Sequence, residues 1–155
     1  MKIWMLFVLL TVLTWGAYVP TIHHGQVSIG KDAADKGPLR AFLFVGIAYF
    51  VVAGAVLVGM LAAKLEPWSF RAEGVKFSFI AGILGAVGAL GIVFAFKYGG
   101  KPAVVPPMVF AGAPIMSTIV AMLWHKPTKP VSPMFFIGIV VAAIGTAMVL
   151  RYKPS

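Results

Sequence analysis

The chain has 155 residues, 61% hydrophobic and 11% charged, with a mean hydropathy of +0.98. A soluble domain carries about 25% charged residues, so this chain lacks the polar surface to cover itself in water; it reads as one integral membrane domain over residues 1–155, with the lipid bilayer as its first partner. The absence of cysteine excludes disulfides, thiol chemistry and cysteine-ligated metal, and the net charge of +9 does not imply nucleic acid, because the basic residues flank apolar runs rather than forming a cluster with interleaved aromatics.

After Lys2 an apolar run extends from Ile3 to about Pro20. A signal peptide is the alternative, but its apolar region would span only about 7–15 residues and end in a small-residue cleavage site. The run here is longer, and Thr14 to Pro20 has no such site. The expectation is an uncleaved first helix over about 3–20 that kinks or ends near Pro20. Residues 21–40 form the longest polar stretch, punctuated by Gly25, Gly30, Gly37 and Pro38, and hold His23, His24, Asp32 and Asp35. On a helix the two histidines diverge by about 100°, which disfavours a shared metal; in a loop they are free to converge. Histidines at a membrane interface are the simpler alternative to a metal or proton site.

A second helix is expected over about 41–63, with Tyr49 its chief polar group, followed by an amphipathic connector over 64–76 whose Trp68 and Phe70 suit the interface. The third helix, about 77–96, carries glycine at every third position: Gly82, Gly85, Gly88 and Gly91. A glycine costs about 1 kcal/mol in a water-exposed helix, whereas in lipid small residues let a neighbouring backbone approach. These glycines are therefore assigned to helix packing, and the third helix to the centre of the bundle. A tight connector, Lys97 to Pro102, leads into a fourth helix over about 103–124 containing Pro106, Pro107 and Pro114. A proline-rich turn at 125–133 precedes a fifth helix over about 134–150, with Gly138, Ala142 and Gly145 spaced for close packing, and Arg151, Tyr152 and Lys153 at an interface. The fold class is thus all-α, a bundle of five transmembrane helices.

Five crossings put the termini on opposite sides. One side then holds six basic residues (Lys2, Lys64, Arg71, Lys76, Lys126, Lys129) and the other the remaining seven. A difference of one sets no orientation by the positive-inside rule. Either some of these residues lie too far from a helix end to count, or a span is misplaced, or both orientations insert.

Trp15-Gly16 on the opening helix, the small-residue helix ending Ala95-Phe96-Lys97-Tyr98-Gly99, the short return, and Pro107 and Pro114 on the next helix together resemble one half of an EamA-type drug/metabolite transporter. The resemblance covers about residues 4–150; the stretch from Tyr98 to Pro114 is also similar to a set of small bacterial membrane proteins of this length. It implies half of a ten-helix inverted-repeat fold, a bacterial cytoplasmic (inner) membrane location, and a cavity completed by a second copy in a homodimer or by a separate five-helix half. Two departures stand out. Leu123-Trp124-His125-Lys126 replaces the Gly-Glu that commonly ends the fourth helix of such halves. The first helix also lacks the glutamate on which the related small multidrug-resistance proteins depend, which argues against a proton-coupled cation exporter.

All four acids, Asp32, Asp35, Glu66 and Glu73, fall outside the expected spans. Intramembrane ionisable groups are the usual functional candidates, and their absence argues against carboxylate relays and hydrolytic chemistry. No nucleotide-binding or triad pattern stands out; no enzyme, cofactor or metal site is expected, and Met108, Met116 and Met122 read as packing or lipid-facing residues rather than metal ligands. Broken helices at membrane depth line cavities or are covered by protein, which makes Pro107, Pro114, Ser117 and Thr118 candidates for lining a substrate cavity, against a kink needed only for packing. Trp15, Tyr18 and Thr14 are candidates for the same cavity, and Tyr49 for a similar role, against interface anchoring. The function expected is transport of a small organic solute; the alternative is a non-transporting scaffold or accessory subunit.

Overall fold

The computed structural model describes residues 2–32, 35–124 and 131–152. Among them the regular structure is helical: α1 (Ile3–Ser28), α2 (Pro38–Ala63), α3 (Ala72–Lys97), α4 (Val105–Trp124) and α5 (Pro133–Arg151). All five are long and apolar enough to cross a membrane. At about 1.5 Å per residue, the 26 residues of α1, α2 and α3 each reach about 39 Å, more than the roughly 30 Å hydrocarbon core. Their ends therefore extend to headgroup level or the helices tilt. Residues 125–130 of the expected proline-rich turn, and Lys153 at the expected interface, lie outside the described residues.

Three boundaries differ from the sequence expectation. α1 does not stop at Pro20 but continues for two turns through the polar residues to Ser28. A proline removes one internal donor and crowds the carbonyl four residues back, here that of Gly16; lipid makes helix termination the costlier choice, because freed backbone groups find no water there. α3 starts at Ala72, with Glu73 in its first turn where a carboxylate complements the helix dipole, so much of the expected connector is helical. α4 starts at Val105, which leaves Pro106 and Pro107 in its first turn. Amides there have no intrahelical partner in any case, so Pro114 alone removes an internal donor. Local chemistry accounts for two other starts: Pro38 opens α2, and α5 opens with Pro133 behind Ser132, whose hydroxyl accepts the Met134 amide at 3.3 Å.

The chain divides into two units, one ending at Tyr98 and the other beginning at Gly99. In the first, α1, α2 and α3 pack against one another; in the second, α4 packs on α5. The core of the first unit is gathered at one end. Val19 and Ile22 from α1, Ala41 from the start of α2, and Ala89, Ile92, Val93 and Phe96 from the last turns of α3 are its buried apolar residues, Val19 and Val93 completely so. Two of these seven are alanines, which permits close helix approach. Toward the other end the apolar side chains, Trp4 to Leu10 and Phe77 to Leu84 among them, are exposed and suited to lipid or to a partner. The glycines of α3 do not make this core. A Cβ built on Gly82, Gly85, Gly88 or Gly91 meets no described atom of the unit within 4 Å, so α3 packs through Ala89–Phe96 and its glycine stripe is open.

Candidate functional site

The α1–α2 connector is drawn tightly back on α1. The Gly37 amide donates to the Gln26 carbonyl at 2.9 Å, and the Gly37 carbonyl accepts the Ala41 amide at 2.8 Å as α2 begins. The chain passes so close that a Cβ on Gly37 would fall inside van der Waals contact of Ile29 Cγ2 and lie 2.6 Å from Arg40 Nε. This clamp sets the register of α2 against α1.

With that register, a cleft of about 720 Å³ opens between α1 and α2, within the size range of small-molecule sites. Trp15, Tyr18 and Ile22 line it from α1, and Phe44, Val45 and Tyr49 from α2. The Trp15 and Tyr18 rings are tilted against each other with centroids 5.7 Å apart. The Tyr18 hydroxyl is buried and has no hydrogen-bond partner among the described residues. Thr14 and Thr21 also line the cleft, but their hydroxyls donate to the carbonyls of Leu10 (2.9 Å) and Ala17 (2.7 Å) on their own helix. Their donors are occupied in the manner expected of threonines in lipid, whereas the Tyr18 hydroxyl is a buried donor without a partner among the described residues. Among the described residues no side chain lining the cleft is charged.

Three of the candidate residues, Trp15, Tyr18 and Tyr49, thus meet in one cleft. Pro107, Pro114, Ser117 and Thr118 belong to α4 in the second unit. The two histidines part company. His23 sets its ring edge-on against Phe96 of α3, with centroids 4.7 Å apart, whereas the His24 ring lies 3.5 Å from the Ser28 hydroxyl one turn on. Among the described residues no group of three metal-ligating side chains converges.

A second, smaller cavity of about 190 Å³ lies at the packed end of the same unit and has a different character. His23, Gln26, Lys36 and Lys97 supply its polar lining, with Pro38 and Phe96 among its apolar walls. Gln26, Lys36 and Lys97 escape a sequence reading that ends α1 at Pro20. Once α1 continues, His23, Gln26 and Val27 follow at i, i+3 and i+4 and share a face. The charge pattern carried the other clue, since it already set Lys36 and Lys97 on one side of the membrane.

No protein-family model, curated protein or solved structure matches the chain.

Proposed function

We propose that the chain is a transport subunit, one five-helix half of an EamA-like drug/metabolite transporter, that binds a small neutral organic solute and works as a homodimer or beside a second half. The observation that carries the reading is the α1–α2 cleft: uncharged, walled by Trp15, Tyr18 and Tyr49, and supplied with one buried unsatisfied donor, the Tyr18 hydroxyl. Such a cleft selects a mainly apolar, aromatic molecule bearing one hydrogen-bond acceptor. A buried donor without a partner costs about 1–3 kcal/mol, which a fitting ligand recovers and an unsubstituted hydrocarbon does not. Pro114 lies inside α4, which runs continuously from Val105 to Trp124 with one backbone donor missing, and adds no more to the reading than that.

The test is binding and uptake by the purified chain in liposomes, using a panel of neutral aromatic solutes with and without an acceptor group. Acceptor-bearing members are expected to bind and to accumulate. Tyr18→Phe, which keeps the ring and removes the hydroxyl, is expected to weaken their binding by about 5- to 10-fold, the equivalent of one ordinary hydrogen bond, and to leave the others unchanged. Absence of flux for every member, together with a monomer in detergent, would sink the proposal.

A second reading is favoured by one observation. The glycine stripe of α3 meets nothing within its own unit, as expected of a helix that waits for a neighbour. A scaffold or accessory subunit of a larger complex uses such a face. Mass spectrometry of gently solubilised membranes separates the two: a fixed unrelated partner favours the scaffold, a homodimer the transporter.

A further inference from the structure

We propose that the smaller cavity at the packed end of α1, α2 and α3 is a phosphate-binding site, made for the phosphate of an anionic lipid headgroup or for a free phosphate. This site is separate from the α1–α2 cleft and does not depend on the transport reading.

The argument begins with donors. Lysine offers only donors, and the cavity is lined by two, Lys36 from the connector and Lys97 from the end of α3. Gln26 adds a third group. It is only 4% exposed, and its Nε2 is buried without an acceptor among the described residues. A side chain so deeply buried and still unpaired is costly unless an acceptor enters. His23, held against Phe96, completes the polar lining.

No carboxylate among the described residues neutralises this set. Asp35, next to Lys36 in sequence, forms its ion pair with Arg40, and neither cavity lysine has a carboxylate oxygen within 4 Å. The Lys97 ammonium stands 5.6 Å from the ring centroids of Phe94 and Tyr98, contacts that stabilise a cation without removing its charge. The helix ends do not reverse the sign. The C-termini of α1 and α3 and the N-terminus of α2 meet at this end, and at roughly half a charge each they sum to about minus one half, against two full positive charges.

Depth fits a headgroup. His23 is 20 residues along α1 from Ile3, about 30 Å at 1.5 Å per residue, which is the thickness of the hydrocarbon core. Basic pockets at this level between transmembrane helices are where phosphate-bearing headgroups dock. The geometry is also actively held, because the Gly37–Gln26 hydrogen bond brings the connector carrying Lys36 against the very turn that carries Gln26.

The experiment uses the full chain, stripped of lipid in detergent, offered equal amounts of phosphatidylglycerol and phosphatidylcholine, with bound lipid counted by native mass spectrometry. In parallel, inorganic phosphate is titrated onto the chain in phosphatidylcholine nanodiscs. Preference for phosphatidylglycerol of about tenfold or more, the scale of two basic side chains near a lipid surface, that resists millimolar phosphate identifies a lipid headgroup. Saturable phosphate binding in the nanodiscs identifies a free phosphate. Either is lost in Lys36→Ala/Lys97→Ala and retained in Lys36→Arg/Lys97→Arg. Gln26→Leu weakens it several-fold while a thermal melt shows the chain still folded. Lys64→Ala/Arg71→Ala, which removes equal charge from the α2–α3 connector, leaves it unchanged. Absence of both preferences, survival in the alanine pair, or equal loss in the connector control overturns the proposal.

Discussion

At Gly37 the connector between α1 and α2 passes too close to α1 for a side chain. An added methyl would sit inside van der Waals contact of Ile29 Cγ2 and 2.6 Å from Arg40 Nε. The arginine end can swing away at the cost of its half-exposed ion pair to Asp35, whereas the Ile29 methyl must shift against the α1–α2 cleft that Ile29 lines. Gly37→Ala is therefore expected to lower stability by about 1–3 kcal/mol, the range for overpacking a filled site. Its second consequence is functional, since the same residue donates to the Gln26 carbonyl and positions Lys36 and Pro38. The alanine variant is expected to lose ligand at both cavities, and thermal melts with and without ligand measure the two effects separately. Melting and binding both unchanged would show that the connector is free to move away from α1. Tyr18 makes a contrasting case: Tyr18→Phe removes an unpartnered buried donor, so it is expected to weaken ligand affinity while raising the melt of the ligand-free chain, by up to about 1–3 kcal/mol.

The helices show how far one-dimensional pattern reaches. The ends of α2 and α5 are legible because an apolar run is bounded by a proline and a polar connector; Pro38 and Pro133 then mark the starts within a few residues. The end of α1 is not legible by the same rule, because hydropathy falls at Pro20 while the backbone has every reason to continue. Hydropathy reports the approach to the interface, and a helix need not end there. Ending α1 early hid the i, i+3 relation of His23 to Gln26, and with it the polar cavity. The cleft was half legible: Trp15 and Tyr18 share a face by spacing, but their meeting with Tyr49 depends on the register that Gly37 imposes. The α3 glycines, read as the centre of the bundle, stand open within their unit. If they receive a partner, Gly85→Leu/Gly88→Leu is expected to abolish self-association, followed by energy transfer between labelled copies in nanodiscs. The melt of the first unit should shift by no more than about 0.5 kcal/mol, as for a surface substitution. Unchanged association would assign the stripe to lipid.

For the whole chain the open question is which way it faces, and the absence of cysteine makes it experimentally clean. Lys31 lies in the α1–α2 connector and Ser69 in the α2–α3 connector, so α2 crosses between them. A single cysteine at either place, probed in sealed vesicles with a membrane-impermeant maleimide, labels only chains that present that connector outward. Lys31→Cys removes one of the seven and leaves six basic residues on each side, a change that sets no orientation, so the outward fractions at Lys31→Cys and Ser69→Cys are expected to be close to complementary. With six basic residues on one side and seven on the other, loop charge supplies no bias, and the expected result is substantial labelling at both positions. That population is what an antiparallel homodimer of two halves requires. The balance is also easy to tip. Lys64→Gln/Arg71→Gln leaves four basic residues against seven, or six in the Lys31→Cys reporter, enough under the positive-inside rule to gather the chains into one orientation, with position 31 inward and position 69 outward. Labelling at only one position before those substitutions would exclude the antiparallel form of the proposed homodimer.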